Sequence, residues 1–389
     1  MLNSTLSDKG FFRVKDWWWS KAALLMGMVY LLTAWFEIEF EKFIPLALLS
    51  LATISGFASL GYLLNDFFDR EKDARAGKKN FLAGKSPLLV ILFFLISISF
   101  LLLPWKFLPF DNFSAALIIS QVLLFLIYSI PPVRLKERGL AGIITDALYA
   151  HSLPVVLAAY TFSLAAERAF PVFPVILLFA WQTLTGVRNI LIHQADDLRS
   201  DKKSGEKNFV PEIYPKPFHS IVKYLIFSEL LFSLVFFGML TFSQPLFLIC
   251  MVAIFIVSAL VALFHEKGVE QLLKGGWKFF PNNLFEKWLP PSVLIALSVI
   301  DNRFIAILLL HLALFNFDFY TQMAMRVALP LVYLVKDVVL RVIALFRIAS
   351  AALLNHSIYY CFLIFGVDLK KENSSALDYL RKLRNKSDG

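Results

Sequence analysis

Long apolar runs dominate this sequence, near residues 22–36, 44–64, 87–105, 113–133, 140–165, 170–192, 221–242 and 245–264. A hydrocarbon layer of roughly 30 Å needs about twenty such residues in a helix. A ninth run near 291–317 is interrupted by Asp301, Asn302 and Arg303. Hydrophobic residues make up 58% of the chain and charged ones 17%, with a mean hydropathy of +0.68. A soluble domain does not tolerate that balance, so the sequence predicts an all-α polytopic membrane helix bundle with one continuous intramembrane domain. Forty Phe residues suit a lipid-facing surface or an apolar tunnel. The first run follows Lys9, Arg13 and Lys15 and precedes further spans, which reads as an anchor and not a cleaved signal peptide. Trp17, Trp18 and Trp19 suit an interfacial belt or a stack against a neighbouring helix. Cys250 and Cys361 stand in apolar surroundings, which gives neither a disulfide framework nor a cysteine metal site.

Charge sets the orientation. Lys and Arg crowd the amino end and the loops at 65–86, 133–139, 193–220 and 265–290, whereas the alternate loops hold Lys42, Lys106 and Arg168. The positive-inside rule then puts the crowded loops in the cytoplasm, as in an integral protein of an inner or cytoplasmic membrane. The net charge of +9 is mostly charge at the surface of membrane lipids, and nothing interleaves basic and aromatic residues for nucleic-acid binding.

Two of those loops carry one motif. Asp69-x3-Asp73-x3-Gly77-x-Lys79-Asn80-Phe81 recurs 128 positions later as Asp197-x3-Asp201-x3-Gly205-x-Lys207-Asn208-Phe209. Residues four apart share a helix face, which aligns Asn65, Asp69 and Asp73 with Asp66 beside them, and Asp197 with Asp201. Clustered carboxylates repel unless something positive lies between them. Mg²⁺ suits the position, since it combines a carboxylate or two with substrate phosphates, and ions in both clusters would clamp a leaving diphosphate. Lys79 and Lys207 would reach it as point charges. The plainer reading of each copy alone is a solvated loop with anchoring charge; the repetition argues for the shared site.

These residues resemble the UbiA superfamily of intramembrane prenyltransferases. Asn65-Asp66-x2-Asp69-x3-Asp73 and Asp197-x3-Asp201 are similar to its two Asp motifs, and Tyr128-Ser129-Ile130-Pro131-Pro132-Val133-Arg134-Leu135-Lys136 is similar to its Tyr-Ser-x-Pro-Pro-x-Arg-x-Lys loop. The resemblance covers about residues 20–320 and implies a bundle of about nine transmembrane helices around a central cavity. It implies Mg²⁺-dependent transfer of an isoprenyl group from a polyprenyl diphosphate to a lipophilic or aromatic acceptor, with diphosphate released. Asn65, Asp66, Asp69, Asp73, Asp197 and Asp201 would hold the metal and diphosphate. Lys79, Lys136 and Tyr128 would act in catalysis, and Arg134, Lys202 and Lys207 would add to the binding of the charged group. The sequence departs from the family at Lys79-Asn80-Phe81-Leu82-Ala83-Gly84, where Arg-Pro-Leu-Ala-Ser-Gly is usual, and at His193, where many members carry Asp. His193 reads as a satisfied helical side chain, or as a base or hydrogen-bond donor.

Polar residues at membrane depth are functional candidates or helix-pairing groups. Here they are Gln182, Thr185, Arg188, Asn189 and His193 in one span and Asp146, Tyr149 and His151 in another. The expected organisation is an intramembrane domain over 1–320, amphipathic or membrane helices over 321–367 and a charged cytoplasmic tail over 368–389. Arg326, Lys336, Asp337, Arg341 and Arg347 fall within about 140° of a helical wheel, as in a helix lying in the membrane surface. A CDP-alcohol phosphotransferase would want Gly where Arg70 stands. A transporter-like or non-catalytic protein with the same helix bundle is the alternative of another class, though carriers bury their carboxylates near midplane.

Overall fold

A computed structural model describes residues 13–198, 209–214, 216–241 and 276–322, with isolated positions between 246 and 256 and between 324 and 342. The described residues are helices and connecting turns. The chain divides into two compact units, 1–320 and 321–389; the architecture below is that of the first. The expected span at 245–264, the expected helices over 321–367 and the tail over 368–389 lie outside the described residues, isolated positions apart.

Helix α1 (14–35) runs through a π-helical turn at Trp18–Ala22 into Ala23–Trp35. It is buried on every side from Ala22 to Ala34, which suits a helix apolar all round. It packs against α2 (Phe40–Ala76), α5 (Leu140–Ala165) and α8 (280–300). Around these stand α3 (Pro87–Leu102), α4 (Asn112–Ser129), α6 (Val172–Asp196) and α7 (Lys216–Thr241). The outer helices leave large apolar side chains bare, among them Leu88, Ile91 and Leu95 of α3 and Tyr224, Phe227 and Leu234 of α7, as lipid-facing surfaces would. By length and composition, six helices of the described residues can cross a membrane.

Close backbone approach needs glycine at two crossings. A Cβ on Gly56 of α2 would come 2.3 Å from the Leu101 nitrogen of α3, and one on Gly186 of α6 would come 2.6 Å from the Ala147 Cα of α5. Small residues are what membrane helices use where they touch so closely.

The run near 291–317 is not one span. Asp301 lies in extended backbone after α8, and its carboxylate accepts the Arg303 N–H at 3.0 Å, opening the short helix α9 (Phe304–Leu314). Eleven residues rise only about 16 Å, so α9 does not cross. The Asp301 side chain holds a tight turn there by bonding a backbone N–H two residues on, an alternative to continuing the helix. Arg303 also pairs with Glu41 at the start of α2, and Arg168 pairs with Glu37. That end of the bundle is therefore opposite the one where α2 finishes.

α2 rises about 55 Å over its 37 residues, well beyond a hydrocarbon layer of roughly 30 Å. Its last turns carry the first Asp motif out of the apolar zone. They end at Gly77, φ 67°, where Gly77 N–H donates to the Ala74 carbonyl at 3.3 Å and Lys78 N–H to the Asp73 carbonyl at 2.8 Å. This is a Schellman stop, and the left-handed position explains the Gly of the motif.

Candidate functional site

A cavity of about 770 Å³ opens at this end, between α1, α2, α4, α5, α6 and α8. Its mouth gathers Asn65, Asp66, Asp69 and Asp73 from α2, Tyr128 from α4, Lys136 from the α4–α5 loop and Asp197 from the end of α6. Deeper, Leu24, Ile54, Phe57 and Val155 form an apolar wall.

The loop after α2 folds back on the motif. Asn80 Nδ2 donates to the Asp66 carbonyl and to Asp73 Oδ2, both at 2.8 Å, while Asn80 Oδ1 accepts from Leu82 N–H at 3.0 Å. Phe81 N–H points at Asp66 Oδ2, 3.3 Å away. The Phe81 and Leu82 side chains pack among Leu63, Val90 and Phe93. Asn and Phe of the repeated motif thus fasten the loop, a role that spacing alone did not disclose.

Asp66 and Asp69 are buried, and each has found a cation. Arg13 Nη1 lies 2.7 Å from Asp66 Oδ1, and the guanidinium stacks over the Tyr62 ring at 4.6 Å. Asp69 pairs with both Arg134 and Lys136, and Lys136 Nζ also donates to Asn65 Oδ1 at 2.8 Å. Arg134 is held in the left-handed region, φ 39°. That conformation costs about 1–2 kcal/mol for a side chain with a Cβ, which its charge-assisted bonds offset. Its Nε lies 2.7 Å from Glu137, which Lys72 also reaches at 2.7 Å. Burial opposes ionisation of Glu137, but the hydrogen bonds from Lys72 and Arg134 prevail and hold its carboxyl below the usual range.

Among the described residues, no group of three or more His, Cys, Asp or Glu is close enough to hold a metal. Asp66 turns to Arg13, Asp69 to Arg134 and Lys136, and Asp73 to Asn80. The donor set still has the chemistry Mg²⁺ requires. Asn65, Asp66, Asp69, Asp73 and Asp197 are hard oxygen ligands on one cavity, and Mg²⁺ needs only one or two carboxylates when phosphates supply the rest.

Lys79 is exposed and outside the cavity lining, while Lys78 lines it, because the reversal at Gly77 brings Lys78 round first. His193 Nδ1 lies 3.2 Å from Asp197 Oδ2, one helical turn away, and both residues line the cavity. Asp201, Lys202 and Lys207 lie outside the described residues. Tyr128 stacks edge-on against Tyr149, whose hydroxyl donates to Asp146 at 2.6 Å. Arg13, Asp16, Lys21, Tyr62 and Glu286 also line the cavity. None belongs to a motif, and Arg13 ahead of the first span looks like ordinary anchoring charge.

Beside the cavity a polar network is buried in the bundle. Arg188 Nε lies 2.7 Å from Glu229 Oε2, with both side chains fully buried. Glu229 Oε1 accepts from Thr185 at 2.9 Å, and Arg188 Nη1 donates to Asn282 Oδ1 at 2.6 Å and to the Lys278 carbonyl at 3.0 Å. Asn282 Nδ2 in turn donates to Glu286 Oε1 at 2.6 Å.

The sequence profile of the UbiA prenyltransferase family matches residues 20–284. The chain belongs to the UbiA prenyltransferase family. It is accordingly an integral membrane protein, in keeping with its six membrane-length helices. Among solved structures it is similar to a UbiA homolog from Archaeoglobus fulgidus bound to GPP and Mg²⁺, at 16% identity and a TM-score of 0.45, covering 72% of this chain and 96% of that one. A UbiA homolog from Archaeoglobus fulgidus bound to DMAPP and Mg²⁺ gives 14% identity and a TM-score of 0.42, over 78% of this chain and 95% of the other. No curated protein matches this UbiA-family sequence.

Proposed function

We propose that this protein catalyses Mg²⁺-dependent transfer of an isoprenyl group from a polyprenyl diphosphate to a lipophilic or aromatic acceptor, with release of diphosphate. The observation that carries the reading is the cavity itself: a mouth of carboxylate, amide and Lys side chains leading down an apolar wall. Such a shape matches a charged head joined to a hydrocarbon chain. Asn65, Asp66, Asp69, Asp73 and Asp197 would hold Mg²⁺, joined by Asp201 of the second motif. When bound, the metal would neutralise charge on the diphosphate oxygens.

Lys136 and Arg134 stand ready as further positive charge. As the allylic carbon–oxygen bond breaks, the electron pair leaves with the diphosphate, and fixed cations stabilise that growing charge. Lys78 is the cavity-lining Lys of the first loop. Lys79, Lys202 and Lys207 would add positive charge to the loops of the two motifs, and Tyr128 of the cavity lining would stand beside the carbocation. The acceptor nucleophile then attacks the freed carbon and gives up its proton to the released diphosphate, and the apolar wall limits capture by water. We place the mouth on the cytoplasmic side from the charge of its loops.

The test is diphosphate release from a prenyl donor by purified protein in nanodiscs, with and without Mg²⁺. Asp69→Asn and Asp197→Asn should each abolish it while the protein still inserts. Near-normal Mg²⁺-dependent turnover in both variants would refute the assignment and leave a carrier or scaffold.

A further inference from the structure

As the side chains stand, the Asp66 carboxylate is closed to a metal. It is 1% exposed, Arg13 Nη1 lies 2.7 Å from its Oδ1, and the Phe81 N–H approaches its Oδ2 at 3.3 Å. A guanidinium and a metal ion on the same carboxylate repel one another, so a cation that takes Asp66 must drive a neighbour off. The two neighbours differ in how readily they leave. The Phe81 N–H belongs to backbone that the Asn80 amide fastens to α2, with the Phe81 and Leu82 side chains anchored in apolar packing. Arg13 Nη1 is the tip of a long side chain that lines the cavity beside Asp66 and keeps 14% of its surface exposed.

Arg13 is also held in a way that lets it go. It caps the start of α1 in the left-handed region, φ 53°, a conformation that costs energy for a residue with a Cβ. Its Nε lies 2.7 Å from the exposed Asp16, and the guanidinium rests 4.6 Å from the centre of the Tyr62 ring. Both contacts can remain when the Asp66 contact is broken. Lys21 stands over the same ring at 5.5 Å, so the guanidinium has a like charge behind it, and Asp66 helps to hold it against that repulsion. The cations on Asp69 are different, because Lys136 and Arg134 are placed to stabilise the leaving diphosphate. Arg13 has no part in that chemistry.

We infer that Arg13 is a resident competitor for the metal: Mg²⁺ gains Asp66 by displacing the guanidinium, so the site loads by an exchange of cations. The inference rests on the Mg²⁺-dependent reading and adds a regulation of that same site. At low free Mg²⁺ the carboxylate stays locked to Arg13, and it becomes a ligand only where Mg²⁺ outcompetes the side chain. The sign of the effect is its signature. Removing a side chain that merely supports a site weakens the ligand, whereas removing a competitor strengthens it.

The experiment uses full-length protein in nanodiscs, stripped of divalent ions, with Mg²⁺ titrated calorimetrically in the absence of a donor. Arg13→Gln should bind Mg²⁺ about 10- to 150-fold more tightly than the parent, the range for one charge-assisted contact. A second measurement needs no variant to fold. Parent protein is treated with phenylglyoxal, which modifies accessible guanidinium groups, and the products are mapped by mass spectrometry. Mg²⁺ should raise modification of Arg13 several-fold over K⁺ at matched ionic strength, while the exposed Arg75 stays constant as the reference. Equal or weaker Mg²⁺ binding by Arg13→Gln, or Arg13 labelling that Mg²⁺ leaves unchanged or lowers, would each overturn the inference. Failure of the underlying reading looks different: Mg²⁺ binding and Arg13 release as described, but no Mg²⁺-dependent diphosphate release from any prenyl donor.

Discussion

Removing either half of the Arg188–Glu229 pair should destabilise the bundle, and removing both should cost less than the sum. Both side chains are fully buried and meet at 2.7 Å and 3.2 Å in a nearly bidentate contact. Breaking a buried pair costs about 3–5 kcal/mol, because the survivor is left as an unmatched charge. The two single losses are not equivalent. A lone carboxylate can escape by taking up a proton, whereas a guanidinium cannot lose one. Glu229→Leu should therefore fall near the upper figure, relieved in part by the Asn282 and Lys278 carbonyl contacts of Arg188, and Arg188→Leu near the lower. The double variant removes both charges and should recover at least about 2 kcal/mol relative to additivity. The assay is a double-mutant cycle by denaturant or thermal unfolding in one detergent, with helicity as the signal. Additive losses, or single variants within about 0.5 kcal/mol of the parent, would refute the reasoning and reduce the pair to a coincidence of packing.

The remaining expectations are briefer. Lys136→Gln should lower kcat for transfer by about 30- to 1000-fold with a smaller change in donor affinity, whereas Lys79→Gln, outside the cavity, should change kcat only a few-fold; equal losses would show that the lining does not predict the contact. A Cys replacing Arg75 should react with an impermeant reagent from one side of the membrane only and a Cys replacing Arg168 only from the other, and labelling of both from one face would break the topology. Glu137 is held below the ordinary carboxylate range, so its contribution to the 130–139 loop is complete above about pH 4.3, the free Glu value, and fades as pH falls through its lower folded value; hydrogen exchange of that loop should rise on acidification below pH 4.3, and Glu137→Gln should abolish the dependence. Gly186→Leu should disrupt the α5–α6 crossing and reduce folded yield, while normal yield would mean the helices part easily.

Much of the site was legible because helical periodicity acts on neighbours in sequence. The alignment of Asn65, Asp66, Asp69 and Asp73 at the end of α2 follows from spacing alone, as do the apolar spans. What spacing could not supply is which cation meets which carboxylate. Arg13 reaches Asp66 across 53 positions and Lys136 reaches Asp69 across 67, and such pairings exist only once the helices pack. That Lys78 of the first loop lines the cavity and Lys79 does not was not legible either, because both stand just beyond a reversal whose geometry decides which turns inward. The break at Asp301 was visible as charge in an apolar run, but that it leaves an eleven-residue helix depends on the local turn that Asp301 makes with the Arg303 N–H.

The family profile begins at residue 20 and ends at 284, yet the cavity does not respect those limits. Arg13 and Asp16 enter it from before the matched stretch and Glu286 from after it. Alignment to relatives over the shared region would therefore carry across the Asp motifs and the Tyr-Ser-x-Pro-Pro loop while leaving these three side chains unassigned. Two relatives with the same motifs could differ in what they accept, or in how Asp66 is balanced when no substrate is present, through residues that family membership does not compare. For expression and engineering, a truncation or tag junction near residue 13 is a change to the wall of the cavity, although by sequence it looks like trimming a tail.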